Sequence, residues 1–304
     1  MDENETTQLE KLKKELSYLK EQYTSLESMF QMTTVHLKKV QDDLYASKKE
    51  LVEINTDLTD SINYAKLIQN AFTVQEQELK KTFPNSFIFD SPKYVVSGDF
   101  IWSCDKNGKT YLAIGDCTGH GVPGAMLSIF IVNMLDQISN STSNTSPADI
   151  IEKLDKRVQK YLYENSSKLN DSVEIAVLEY DAKNQKLLFA GAKRPLIRIR
   201  EGDVKFFKGS NNILGNSISK FSFAENNELY VQKGDLIYLF SDGIVDQFGG
   251  SKNKKFLTKR FLVLLTEIAS LTIACQEEKI KAAFIDWKGD NDQINDILVM
   301  GIRI

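Results

Sequence analysis

The residues best suited to chemistry lie in Ile114-Gly-Asp-Cys-Thr-Gly-His-Gly-Val-Pro-Gly-Ala125, where an apolar run ends in Asp116 and a glycine-rich loop leads into a helical pattern. Pro123 suits a first helical turn, and the free backbone N–H groups and dipole of such a turn favour an anion such as phosphate. A second carboxylate, Asp242, closes the apolar run of Tyr238-Leu-Phe-Ser-Asp-Gly-Ile-Val245, and Gly243 lets the chain turn directly after it. Asp99, in Val96-Ser-Gly-Asp-Phe100, sits within another such run, and Asp296 opens the last one. Hard oxygen donors from separate strand ends, beside a helix N-terminus, suit Mg²⁺ or Mn²⁺ holding a phosphate between cation and amides.

Each of these residues also has a plain structural reading. An Asp before Gly at a strand end is most often a turn, and the combination of several is what points to a site. His120 lies between two glycines and is either a general acid or a solvent-facing side chain. Lys193 and Arg194, after Gly191, either touch a phosphate or lie in a solvated loop. Cys117 reads as structural, since no neighbour in sequence forms a base-assisted nucleophile. Gly119-His-Gly-Val-Pro-Gly124 also matches a dinucleotide-binding G-x-G-x-x-G. About twenty residues on, where that fold needs an acidic residue, the chain has the polar stretch Ser139 to Thr145, read here as a surface loop. Asp116 would also place a negative charge beside the pyrophosphate.

The elements that must position these residues are short runs rich in β-branched and aromatic residues, bounded by turn signals. Strands are expected at 86–89, 94–103, 110–116, 173–180, 186–192, 196–200, 204–208, 229–232, 236–241 and 296–304, with tight turns at Asp105 to Gly108 and Glu201 to Gly202. Helical periodicity appears at 125–138, 147–163, 257–271 and 276–287. Strands and helices in no strict alternation predict an α+β fold with mainly antiparallel sheets.

All 16 glycines and all 5 prolines lie at or after Pro84. Before it, a heptad begun at Leu9 gives the a series Leu9, Leu16, Tyr23, Phe30, Leu37, Leu44, Leu51, Leu58 and Ala65. The d series is Leu12, Leu19, Leu26, Thr33, Val40, Ser47, Ile54, Ser61 and Ile68. A seam with no charged a residue, broken only at Thr33, Ser47 and Ser61 of the d series, predicts a coiled coil, about 90 Å long at about 1.5 Å per residue, whose apolar face needs a partner strand. The alternative is a long helix packed on its own domain. His36 falls on the coil surface. The expected division is 1–75, a coiled-coil dimerisation and signalling helix, and 76–304, the catalytic domain.

With 38 basic and 42 acidic residues, net charge -4, the chain has no basic excess to suggest nucleic acid or an anionic membrane as partner. Three widely spaced cysteines, Cys104, Cys117 and Cys275, give neither a zinc pattern nor a disulfide framework, and point to a reducing compartment. The residues from Met1 to Leu12 are polar, without the apolar stretch of a signal peptide, and no later run approaches the roughly 20 apolar residues of a membrane span. A cytoplasmic protein without membrane insertion is expected.

Taken together, Ser97-Gly-Asp-Phe100, Gly115-Asp-Cys-Thr-Gly-His-Gly-Val-Pro-Gly-Ala125, Gly191-Ala-Lys-Arg-Pro195, Phe240-Ser-Asp-Gly243 and Gln293-Ile-Asn-Asp-Ile297 resemble the SpoIIE/RsbU-type branch of the metal-dependent protein phosphatases, the phosphatase 2C superfamily. The resemblance runs in order over about residues 62–304, including the helix Ser61-Ile-Asn-Tyr-Ala-Lys-Leu-Ile-Gln-Asn70. It implies an α-β-β-α sandwich of two antiparallel sheets flanked by helices. The implied activity is hydrolysis of phosphoserine or phosphothreonine on a protein, such as an anti-sigma-factor antagonist, with two Mg²⁺ or Mn²⁺ ions. By the same likeness Asp116 bridges both ions, the Cys117 carbonyl joins the first, Asp242 binds the second, and Asp99 supports the metal waters. Such ions lower the pKa of a shared water toward neutrality and neutralise phosphate charge, so neither a covalent intermediate nor an arginine finger is required. Where the family carries two adjacent aspartates this chain reads Asn295-Asp296, so Asn295 falls in the slot of a ligand to the second metal. Asp296, expected on the opposite strand face, should matter less. The alternative to a working enzyme is a weakened or silent pseudophosphatase that binds phosphoproteins as a scaffold.

Overall fold

The computed structural model describes residues 3–141, 145–163, 171–215 and 224–304. The chain forms two units, one ending at Ser61 and the other Ile62–Ile304. The first unit is a single stretch of helix α1 (Glu3–Phe72), free of glycine and proline. Its heptad a residues from Leu9 to Leu58 are all more than half exposed. Thr33 and Ser61, which interrupt the d series, return their hydroxyls to the carbonyls of Met29 and Asp57, so within the helix they are already satisfied.

The second unit begins with the last turns of α1. It continues through α2 (Glu76–Thr82), β1 (Ser86–Ser91), β2 (Asp99–Lys106), β3 (Lys109–Cys117), α3 (Val122–Ser141) and α4 (Pro147–Val158). Then follow β4 (Val173–Asp181), β5 (Lys186–Ala192), β6 (Leu196–Arg200), β7 (Asp203–Phe207), β8 (Asn227–Tyr230) and β9 (Leu236–Phe240). The chain closes with α5 (Gly243–Asp246), the small hairpin β10 (Phe248–Gly249) and β11 (Lys254–Lys255), α6 (Leu257–Ile268), α7 (Ile273–Lys288) and β12 (Ile297–Arg303). Two five-stranded sheets result, ordered β1-β12-β9-β6-β7 and β2-β3-β4-β5-β8, and every strand pair in them is antiparallel.

Strand alternation explains how these layers stack. Along β2 and β3, Phe100, Trp102, Tyr111 and Ala113 turn outward to pack under α3 and α4, while Ile101, Leu112 and Ile114 turn inward toward the other sheet. In β9 and β12, Ile237, Leu239, Leu298 and Met300 meet that inward face, while Tyr238, Phe240, Ile297 and Val299 pack under α6 and α7. Each fully buried aliphatic side chain contributes about 1.5–3 kcal/mol to this three-layered core. Ser146 caps α4 by accepting from the Asp149 amide, and Asp149 reciprocates on the Ser146 amide. Helix α3 is long and apolar enough to cross a bilayer by length and composition, but Ile131, Leu135 and Ile138 are fully buried against β2, β3 and β4.

Three local expectations are corrected. The strand expected from Tyr94 starts only at Asp99, because the Lys93, Ser97 and Gly98 amides donate to side chains: Ser97 to Gln69 Oε1, Lys93 and Gly98 to Asp296. Asn295 and Asp296 precede β12 rather than opening it. Of the surface loop expected at 139–145, Ser139 to Ser141 continue α3, Ser139 and Thr145 are buried, and residues 142–144 lie outside the described residues.

The start of α3 is tight enough to make a prediction. A Cβ on Gly124 would overlap the carbonyl oxygen of Gly119. Helix propensity alone favours Gly124→Ala by about 1 kcal/mol. The clash with a backbone group should reverse that sign and destabilise the protein by about 1–3 kcal/mol in urea unfolding. A stabilised variant would show that the loop yields freely.

Candidate active site

Cross-strand register builds the site. Asp99 of β2 lies directly opposite Asp116 of β3, and Asp116 lies directly opposite Glu174 of β4. Opposed residues in antiparallel strands project from the same face, here the inward face that carries Ile101, Ile114 and Ala176. Three carboxylates therefore form one rung across three strands, at the end of the sheet where β2 begins and β3 ends. The other sheet contributes Asp242, just after β9, and Asn295, just before β12. Gly243 can follow Asp242 because a Cβ there would strike the Asp296 carbonyl.

Arg194, in the link from β5 to β6, reaches into this cluster and is only 5% exposed. Its Nη2 is 2.8 Å from Asp116 Oδ2, 2.6 Å from Glu174 Oε2 and 2.9 Å from Asp242 Oδ2. The link doubles back sharply, with Lys193 in the left-handed region at φ 65° and its amide donating to Ser210 O. Gly191 permits that turn, since a Cβ would overlap the Arg194 carbonyl.

Burial raises the Asp116 pKa from 3.8 to about 7; Arg194 pulls it down, and the negative charges of Asp242, Glu174 and Asp296 add to the rise. A carboxyl with a higher pKa folded than unfolded loses stability as pH rises through that interval, so ionised Asp116 opposes folding of the metal-free protein above about pH 7. Burial, with Asp116 alongside, drives Asp99 well above the carboxylate range. Among the described residues no donor stands in good hydrogen-bonding geometry to either oxygen of Asp99, although the nearby Ser241 hydroxyl pulls its pKa down. A buried carboxyl with both oxygens orphaned is costly unless a cation serves it.

Among the described residues no three His, Cys, Asp or Glu side chains already form a closed metal cage. The donor set nevertheless fits divalent ions: oxygen ligands only, an orphaned Asp99, and three carboxylates converging on one positive charge. Asp99, Asp116, Glu174 and Asp242, with the Cys117 carbonyl beside Gly98, are the groups that could hold them. The Cys117 side chain itself is buried in the outer core.

The two residues before β12 divide differently than expected. Asn295 Nδ2 donates to Asp242 Oδ1 at 2.8 Å, and its Oδ1 accepts from the Asp296 amide, so Asn295 presents nitrogen rather than oxygen to the site. Asp296 is 1% exposed and accepts from the Lys93 and Gly98 amides at 2.7 Å each. It shapes the segment that delivers Asp99. His120 is exposed and packs its ring against Tyr94 at 4.9 Å, outside the ion-pair cluster.

Two participants escape a reading by motif. Glu174 is one acidic residue in the apolar strand Val173-Glu-Ile-Ala-Val177, and its inward parity with Ala176 and Leu178 was the available signal. Gln69, 2% exposed, joins the last turns of α1 to Ser97 O and Ser128 Oγ, and only the folded chain brings these together.

Known proteins place this architecture. The SiaA-PP2C domain of Pseudomonas aeruginosa superposes with a TM-score of 0.75 and is 28% identical, the match covering 82% of this chain and 98% of that one. The phosphatase domain of Bacillus subtilis SpoIIE, solved with a fragment of its regulatory domain, gives a TM-score of 0.58 at 19% identity, over 72% of this chain and 61% of that one. The RsbU and RsbW domains of a Mycobacterium tuberculosis protein give 0.56 at 17% identity, over 73% and 60%. Among curated proteins none matches the sequence significantly. The family model for stage II sporulation protein E (SpoIIE) matches residues 106–304, which include every residue of the cluster except Asp99. With that model spanning well over half of the chain and the fold shared with solved PP2C domains, the protein belongs to the SpoIIE family.

Proposed function

We propose that the protein is a cytoplasmic Mg²⁺- or Mn²⁺-dependent protein serine/threonine phosphatase, with a catalytic domain at 76–304 and a coiled-coil dimerisation and signalling helix at 1–75. The observation that carries the reading is the carboxylate rung Asp99–Asp116–Glu174, facing Asp242, with Asp116, Glu174 and Asp242 gathered on one cationic nitrogen. Two bound cations would supply an acidified water and neutralise the charge of a phosphoester. In this reading Asp116, Asp242, Glu174 and the Cys117 carbonyl hold them, with Asp99 behind and Asn295 in a ligand slot. Asp296 keeps Asp99 in place through the Lys93 and Gly98 amides. Arg194 and His120 are the side chains proposed to meet the phosphate. The substrate is a phosphorylated regulatory protein such as an anti-sigma-factor antagonist.

One observation favours the second reading, a weakened or silent phosphatase acting as a scaffold: Asn295 turns its amide nitrogen toward Asp242 where a ligand oxygen is needed. Phosphate release from a phosphoserine peptide with Mn²⁺ separates the two readings. Asp116→Ala should lower turnover roughly 100-fold or more, and excess EDTA should abolish it, while His120→Ala should cost much less. Asn295→Asp places a second carboxylate at the 2.8 Å contact with Asp242, and should raise turnover and Mn²⁺ affinity together. Wild-type turnover that ignores EDTA contradicts the metal-dependent reading. No turnover in wild type with recovery in Asn295→Asp establishes the scaffold.

The exposed a residues from Leu9 to Leu58 support a parallel pair of α1 helices, which would bring both catalytic domains to one end. Light scattering at micromolar concentration should return twice the chain's mass, and Leu44→Glu, which charges an a position, should shift it toward monomer. A monomeric wild type would contradict the pairing.

A further inference from the structure

Resting on the metal reading above, we infer that Arg194 is an internal counter-ion that occupies the cation site and must leave before divalent ions can bind. Its contacts are those of a placeholder rather than of a structural salt bridge. All three carboxylates meet the single nitrogen Nη2, whose two protons go to Asp116 and Asp242, so Glu174 at 2.6 Å is held by ion pairing without a proton of its own. Among the described residues the Nε–H of the same side chain, like that of Arg198, is buried without an acceptor. Arg200 shows what a built pair looks like in this protein. Its Nε and Nη2 donate to the two oxygens of Asp235 at 2.7 and 2.5 Å, the parallel fork that makes such pairs strong. Arg194 forgoes that fork and draws both of its carboxylate hydrogen bonds, to Asp116 and Asp242, from one nitrogen.

The location has a second consequence. Asp116, Glu174 and Asp242 are the carboxylates that would serve the cations, and one guanidinium cannot neutralise all three. Divalent ions can, so they and Arg194 compete for the same oxygens, and each must weaken the other by the same factor. Once displaced, the guanidinium remains tethered to the Gly191–Arg194 turn at the rim of the site, where phosphate is the anion proposed to arrive.

Mn²⁺ titration calorimetry on the full chain tests this with a readout separate from catalysis. Arg194→Met, which keeps the length and removes the charge, should bind Mn²⁺ about tenfold more tightly than wild type or better, the low end of the scale expected for one unit charge removed at contact distance, under nearly full water screening. Arg194→Lys should fall between them. Should Arg194→Met fail to fold, wild type alone still decides: the arginine Nε–Hε resonance of Arg194 should move on saturation with Mg²⁺. Equal or weaker Mn²⁺ binding by Arg194→Met, or an Arg194 resonance that stays still at saturating Mg²⁺, overturns the inference while leaving the metal reading intact. Absence of Mn²⁺ binding in both proteins removes the metal reading, and this inference with it.

Discussion

Like charges placed directly opposite one another across β-strands repel, and the register of β2, β3 and β4 puts three carboxyls on one rung. Nothing about a stable sheet calls for that arrangement. Two apolar layers fix the register, with Ile101, Ile114 and Ala176 committed to the inward face and Phe100, Ala113 and Ile175 to the outer one. A slip of one residue would exchange every one of these side chains between faces, so the core holds the carboxyls in a position they would not choose. Burial on that inward face, with the neighbouring carboxyls adding to it, raises the pKa values of Asp99 and Asp116.

Relief comes from positive charge. Arg194 brings it, through a link that Gly191 and a left-handed Lys193 make possible. The surrounding backbone is arranged for the same purpose: Asp296 and Gln69 take up the Lys93, Ser97 and Gly98 amides, which ends sheet pairing just before Asp99. The glycine-rich segment after Asp116 is then pressed against Gly98, where a Cβ would approach the carbonyls of Cys117 and Gly119 to 2.8 Å. The carboxyl cluster is thus held on a closely packed backbone.

Much of this was legible in the sequence, because the determinants are local. Alternation of apolar residues located the strands, and the clusters around Asp116 and Asp242 marked the strand ends that carry the acids. The sandwich followed from the family resemblance, and the solved PP2C domains share it. What escaped depends on pairing between distant segments. Glu174 has no motif around it, and its place on the rung exists only once β4 pairs with β3. The roles of Asp296 and Gln69 arise from backbone groups more than twenty residues away in sequence. Asn295 and Asp296 were read as a continuous strand, although the hydrogen bond from the Asp296 amide to Asn295 Oδ1 delays β12 to Ile297. Arg194 was read as a candidate phosphate contact or a solvated loop residue, because nothing in Gly191-Ala-Lys-Arg-Pro195 shows that the turn points inward.

The central claim is that the Asp99–Asp116–Glu174 rung is a cation site whose charges oppose folding until a cation arrives. Scanning calorimetry at pH 8, with and without Mn²⁺, tests it most directly on wild type and Asp116→Asn. The account predicts that metal-free Asp116→Asn melts at a higher temperature than metal-free wild type, because the amide removes a charge that the folded state disfavours above about pH 7. It also predicts that Mn²⁺ raises the melting temperature of wild type and leaves that of Asp116→Asn nearly unchanged. A metal-free Asp116→Asn that melts lower than wild type, together with an undiminished response to Mn²⁺, would contradict it.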